Sequence, residues 1–206
     1  MDDAMKFIQT PLKDACIVEI EPFCDRRGMF ARAFCRREFE ELGMKPDIVQ
    51  CNISHSIRKD ILRGLHYQLA PFAETKMVRC IKGGIYDVIV DVRPASSTYL
   101  NWLGVELTSD NRRMLYVPEG FAHGYQTLVD DSEIFYMVSQ FYTPEFERGI
   151  RWNDRLFGIE WPCRDPIISP KDAGYPDFEK VMATGWKTPA DKHRQRPLNH
   201  VLMEDG

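Results

Sequence analysis

Ten short apolar runs, rich in β-branched and aromatic residues and interrupted by Gly, Pro, Asn, Asp or Ser, occupy the chain from about residue 16 to residue 161. They cover 16–23, 29–34, 47–54, 61–68, 76–81, 85–92, 102–107, 114–117, 122–128 and 134–139. Runs this short and this closely spaced predict an all-β sandwich or barrel. The clearest is 85–92, where Tyr86, Val88, Val90 and Val92 share one face and Ile85, Asp87, Ile89 and Asp91 the other. If the second face lines an interior, Asp87 needs a partner such as Lys76 or a ligand hydroxyl, because an unpaired buried charge is costly. On a solvated face it needs none, and the alternation alone leaves both arrangements open.

Helix is sparse. Residues 37–42, closed by Gly43, have the composition of a short helix, and 177–183 suggest another. Residues 69–74 read as a loop, and Gly83-Gly84 as a tight turn. No Pro-, Gly- or Ser-rich boundary divides the 206 residues, so a single domain is expected over 1–206. Its strand core spans about 16–161, followed by an irregular, partly helical segment at 162–206.

Charge and cysteine usage narrow the function classes. A net charge of −4 gives no reason to expect nucleic acid, and each basic cluster, such as Arg26-Arg27 or Arg36-Arg37, has acids nearby. No apolar run approaches the ~20 residues that span a bilayer, and Met1-Asp2-Asp3-Ala4 lacks the basic start of a signal peptide. The expectation is a cytoplasmic protein without a membrane partner. The six cysteines are scattered with no CxxC, which reads as reduced thiols, neither a zinc site nor a disulfide framework.

The chemistry concentrates in two segments, Arg63-Gly64-Leu65-His66-Tyr67-Gln68 and Pro118-Glu119-Gly120-Phe121-Ala122-His123-Gly124-Tyr125. Each sets an imidazole beside small residues and aromatics; the first adds a cation and, in Gly64, a turn residue. A neutral imidazole takes a proton from carbon or oxygen near neutral pH without metal or redox help. A metal-binding cupin strand would carry a second histidine two positions after His66. Gln68 stands there, a poor ligand, so acid–base work with no metal is the better reading. Lys76 can stabilise an oxyanion, Tyr136 or Tyr142 can exchange a proton, and Arg63 and Arg27 can hold a phosphate.

Taken in order, RGLHYQ at 63–68, KMVRC at 76–80, DVIVDVR at 87–93, PEGFAHGY at 118–125, FYTPE at 141–145, IRWND at 150–154, GIEWP at 158–162 and SPKD at 169–172 resemble the dTDP-4-dehydrorhamnose 3,5-epimerase family over roughly residues 8–180. The resemblance implies a jelly-roll or cupin-like double-stranded β-helix and a homodimer with exchanged N-terminal strands. It also implies a cofactor-free epimerase inverting C3 and C5 of a nucleotide-linked 4-keto-6-deoxyhexose, on the way to a rhamnose-type deoxysugar. By the same resemblance His66 is the base, Asp172 its carboxylate partner and Tyr136 the proton donor, with Tyr142 the nearby alternative. Lys76 and His123 hydrogen-bond the sugar or enolate. Arg27 and Arg63 bind the diphosphate, while Phe23, Phe30, Gln50 and Asn52 contact nucleotide or sugar. Three departures stand out, one of them the segment 72–75, which differs from the loop expected before the lysine. The family's Asn-His-Ser segment reads Asn52-Ile53-Ser54 here, which removes an imidazole expected at the site, and the chain after about 183 has no counterpart.

Overall fold

The computed structural model describes residues 5–44 and 47–179. Two antiparallel sheets pack face to face. Introduced in chain order, the strands are β1 (Lys6–Gln9), β2 (Cys16–Glu19), β3 (Phe23–Asp25), β4 (Gly28–Phe30), β5 (Gln50–Ser56), β6 (Ile61–Gln68), β7 (Lys76–Lys82), β8 (Gly84–Asp91), β9 (Trp102–Thr108), β10 (Met114–Val117), β11 (Phe121–Thr127), β12 (Ser132–Val138), β13 (Glu147–Gly149) and β14 (Ile167–Ile168). The first sheet runs β1-β2-β10-β7-β12-β5 and the second β13-β6-β11-β8-β9, with β14 added in parallel to β6. Strands β3 and β4 form a separate hairpin. The architecture is the cupin-like all-β fold that the strand spacing and the motifs anticipate.

Three apolar clusters account for the layering. Val78, Cys80, Ile134, Ile85, Ile89 and Leu107 fill the space between the sheets. The alternation of 85–92 is thereby resolved: Ile85 and Ile89 point into the barrel, while Val88, Val90 and Val92 face outward under Ile150, Phe157, Trp161 and Phe178. Burying this many aliphatic and aromatic side chains, at roughly 1.5–3 kcal/mol each, is what holds the two sheets together. The outer face of the first sheet is covered by α1 (Arg36–Glu41) through Phe39. Gly43 ends that helix region with φ +71°, a conformation costly for any other side chain but Asn or Asp.

Several expected boundaries shift. The 16–23 run breaks after Glu19, and the hairpin begins at Phe23, so one expected strand is two. The 29–34 run yields only two strand residues, Met29 and Phe30, at the end of β4. Strands β1, β13 and β14, with two to four residues each, are too short to show a period and were not expected. Helix α2 (Pro170–Ala173) was also unexpected; of the helix expected at 177–183, Asp177 is not helical, Phe178 and Glu179 are, and 180–183 lie outside the described residues. Trp161 and Phe157 pack in the core as aromatic residues usually do, whereas Phe141 is 61% exposed.

Candidate active site

Arg63 and His66 lie three residues apart on β6, a spacing that strict alternation would send to opposite faces. Both nevertheless line one cavity. The reason is a bulge: β11 pairs His123 with His66 and Tyr125 with Arg63, so one residue of β11, Gly124, opposes two of β6, Gly64 and Leu65. At the bulge the backbones touch. A Cβ on Gly64 would lie 2.6 Å from Gly124 Cα and 2.8 Å from the His123 carbonyl oxygen, and one on Gly124 would lie 2.7 Å from the Arg63 carbonyl oxygen. Gly64, at φ +118°, is therefore not a turn residue but the strand position that lets two histidine-bearing strands meet.

Asp172 reaches His66 through the chain's return path. Strand β14 pairs with the start of β6, Ile167 opposite Ile61, and hands the chain to α2. Ser169 caps that helix, its Oγ accepting from Asp172 N at 3.1 Å. The Asp172 carboxylate, only 7% exposed, lies 2.8 Å from His66 Nε2 through Oδ1 and accepts from Gly64 N at 3.3 Å through Oδ2. Burial by itself would raise the Asp172 carboxyl; the hydrogen bond and charge of His66, with the Gly64 and Ser169 contacts, hold it below the usual range. With Nε2 engaged by a carboxylate, Nδ1 is the ring nitrogen left with a lone pair. Tyr175 packs edge-on to the imidazole, with ring centroids 5.7 Å apart, in space left by Gly149, where a Cβ would lie 2.2 Å from the Tyr175 ring.

The cavity beside His66, of about 240 Å³, is lined also by Ser54, Arg63, Lys76, His123, Tyr125 and Tyr136. His66 comes from the second sheet and Tyr136 from the first, so the two stand on opposite walls. Lys76 and Tyr136 are shared with an adjoining cavity of about 280 Å³ that contains Gln50, Asn52, Glu74 and Tyr142. Burial raises the Tyr136 phenol above its ordinary value; Tyr125 and the Glu74 charge add to this and Arg63 opposes it. The Tyr142 hydroxyl donates to Glu147 Oε2 at 2.9 Å, and Glu147 also takes Lys171 Nζ at 2.7 Å.

Some expected partnerships differ. Asp87 is fully buried, and its partner is neither Lys76 nor solvent but His123, whose Nε2 lies 2.6 Å from Oδ1. Lys76 instead pairs with Glu74. The cause is register: Asp87 lies opposite Tyr125 on β11, one strand away from His123, whereas Lys76 begins a strand of the other sheet. Gln68, in the would-be metal slot, pins two loops, donating to the carbonyls of Phe72 and Phe141 and accepting from Thr143 N. The missing imidazole at Ile53 does not open a gap in this cavity, because Ile53 is 67% exposed while Asn52 and Ser54 line the two cavities. His55 lies on the same outward face as Ile53, 2.6 Å from Asp131. Phe23, Arg27 and Phe30 line a separate groove on the β3–β4 hairpin, where Arg27 pairs with Asp25; no lining residue is shared with the His66 cavity.

Ser54 and Tyr125 line the His66 cavity and Tyr175 flanks His66, although pattern reading named none of the three as a site residue. Only the alternation of 50–56 could have flagged Ser54, and nothing local marks Tyr175, which is set against His66 by a strand pairing of distant residues. A larger groove of about 610 Å³ near Trp152 and Trp161 is lined by the 150–154 and 158–162 motifs but by none of the candidate site residues.

Residues 9–180 match the family model described as dTDP-4-dehydrorhamnose 3,5-epimerase. A protein of that description from Shigella flexneri is 47% identical over 169 residues, covering 82% of this chain and 93% of the relative. The crystal structure of dTDP-4-dehydrorhamnose 3,5-epimerase from Bacillus anthracis, with TDP and PPi bound, superposes with a TM-score of 0.82 at 42% identity, covering 84% of this chain and 99% of that one. A 3,5-epimerase from Legionella pneumophila, in complex with dTDP-4-keto-L-rhamnose, gives a TM-score of 0.82 at 36% identity over 88% of this chain and 96% of that one.

Proposed function

The chain belongs to the dTDP-4-dehydrorhamnose 3,5-epimerase family of isomerases, and from that premise we propose that it inverts C3 and C5 of a dTDP-linked 4-keto-6-deoxyhexose. The observation that carries the reading is a His–carboxylate pair and a phenol on opposite walls of one cavity. A C4 ketone makes the hydrogens on C3 and C5 acidic, because the carbanion is delocalised as an enolate. His66, oriented by Asp172, removes the hydrogen through Nδ1; Tyr136 returns a proton from the opposite wall. Lys76 and His123 hydrogen-bond the sugar or the enolate oxygen. Arg63 holds the diphosphate, and Gln50, Asn52 and Tyr142 in the adjoining cavity receive the rest of the nucleotide sugar.

Arg27, Phe23 and Phe30 serve this site from a second copy of the chain. The hairpin that bears them is a two-stranded sheet with Phe23 52%, Met29 45% and Phe30 70% exposed, and so isolated a hairpin is marginal in water. A homodimer that exchanges the hairpins covers those side chains and brings Arg27 to the diphosphate. The cytoplasm suits a chain with six free cysteines, which stay reduced there.

The test is incubation of the purified protein with dTDP-4-keto-6-deoxyglucose in deuterium oxide, followed by NMR. Deuterium entering both C3 and C5 with formation of the epimer is the expected result. Exchange at C3 alone would make it a single epimerase, and binding without exchange would remove catalysis from the reading.

A further inference from the structure

Glu74 stands just before β7, with its side chain 10% exposed, and it forms an ion pair with Lys76, whose side chain is 13% exposed. Both line the cavity that contains Gln50 and Asn52, and Lys76 with Tyr136 also lines the His66 cavity. An ammonium on a flexible four-carbon stem loses much rotamer freedom when held in one place, so a buried partner is needed to hold it. We propose that Glu74 is a positioning residue of this site: its carboxylate fixes the Lys76 ammonium where the two cavities meet and balances its charge beside the Tyr136 hydroxyl.

The consequence falls on Tyr136. Every charged or titratable group lining the two cavities with it bears on its proton: Arg63 and His66 from β6, Lys76 from β7, His123 and Tyr125 from β11, and Glu74 and Tyr142 from the loops. Arg63 and an unbalanced Lys76 would both favour the phenolate, which cannot donate. Glu74 opposes them, in keeping with the upward push its charge gives the Tyr136 phenol, behind the effects of burial and Tyr125. A phenol that keeps its proton while the enolate forms is what a donor facing His66 requires.

The proposal rests on the epimerase reading for its kinetics but not for its titration. Tyr136 ionisation is followed by the ultraviolet absorbance of tyrosinate, as the difference between each protein and its Tyr136→Phe counterpart, in the native background, in Glu74→Gln and in Glu74→Asp. Glu74→Gln keeps an acceptor for Lys76 but gives up the charge, so Tyr136 should ionise about one pH unit lower. Glu74→Asp should return most of that shift. In turnover, the alkaline limb of the inversion rate should move with it, while deuterium entry at neutral pH, which reports abstraction by His66, changes less. An unchanged ionisation of Tyr136 in Glu74→Gln overturns the proposal, as does a uniform loss of rate with no shift of the limb. If the native protein exchanges no deuterium, the epimerase reading fails, and the absorbance titration still decides the role of Glu74. Should Glu74→Gln not fold, the comparison passes to Glu74→Ala, which gives up the same charge and must move the ionisation downward or the proposal falls.

Discussion

Replacing Asp172 by Asn changes one atom and should stop the reaction by reversing a tautomer. The carboxylate accepts from two sides at once, from Gly64 N at Oδ2 and from His66 Nε2 at Oδ1. An amide has one oxygen. Gly64 N–H is a buried backbone donor and leaving it unmet costs roughly 1–3 kcal/mol, so the amide oxygen turns toward Gly64 and the NH₂ toward His66. An NH₂ facing Nε2 requires a lone pair there, which moves the ring proton to Nδ1, the atom that must take hydrogen from the sugar. By analogy with His–Asp pairs elsewhere, the expected loss is about 10³–10⁴ in deuterium entry at both carbons, or about 4–5.5 kcal/mol. Nucleotide affinity, measured by calorimetry with dTDP, should hold, because Arg63 and the adjoining cavity are untouched. The melting temperature should change little, since the cap from Ser169 and the contact to Gly64 survive. Exchange within tenfold of the native rate would refute the tautomer argument; parallel loss of dTDP binding would show that Asp172 supports the cavity instead of the base.

Tyr136→Phe should wash deuterium into recovered substrate of unchanged configuration faster than it forms epimer; if exchange and inversion fall together, the phenol is not the donor, and normal inversion passes the question to Tyr142→Phe. Mixing refolded His66→Ala and Arg27→Ala chains should restore activity that neither has alone, because a heterodimer with exchanged hairpins contains one site with both residues. No rescue, with mixed dimers present by native mass spectrometry, would place the hairpin in its own chain's site. Gly64→Ala should lower stability by roughly 3 kcal/mol, from the backbone contact to Gly124 and the positive φ, and the melting temperature by about 6–12 °C. An unchanged melting temperature by circular dichroism would mean that β6 and β11 can part at little cost.

Strand positions are governed by local chemistry, and they could be read from the chain. The runs at 61–68 and 114–117 coincide with β6 and β10 at both ends, because β-branched and aromatic residues bounded by turn formers carry their preference wherever they fold. His66 and His123 were legible for the same reason: each is a titratable group set among small residues inside a strand run. Asp172 became visible only through the likeness of the SPKD segment to a known family, since no period links residues 106 positions apart. Closure of the sheets decided what remained. It set His123 against Asp87 and, by placing Lys76 on the other sheet, left that lysine to its near neighbour Glu74, although the sequence offered Lys76 to Asp87 equally well. It broke the alternation at Gly64 so that Arg63 and His66 face the same cavity, and it turned Ile53 away from the site. It also left the Arg27 hairpin outside the cavity. Apolar periodicity is a property of a few neighbouring residues, whereas a buried charge takes whichever partner the register of distant strands brings within about 3 Å.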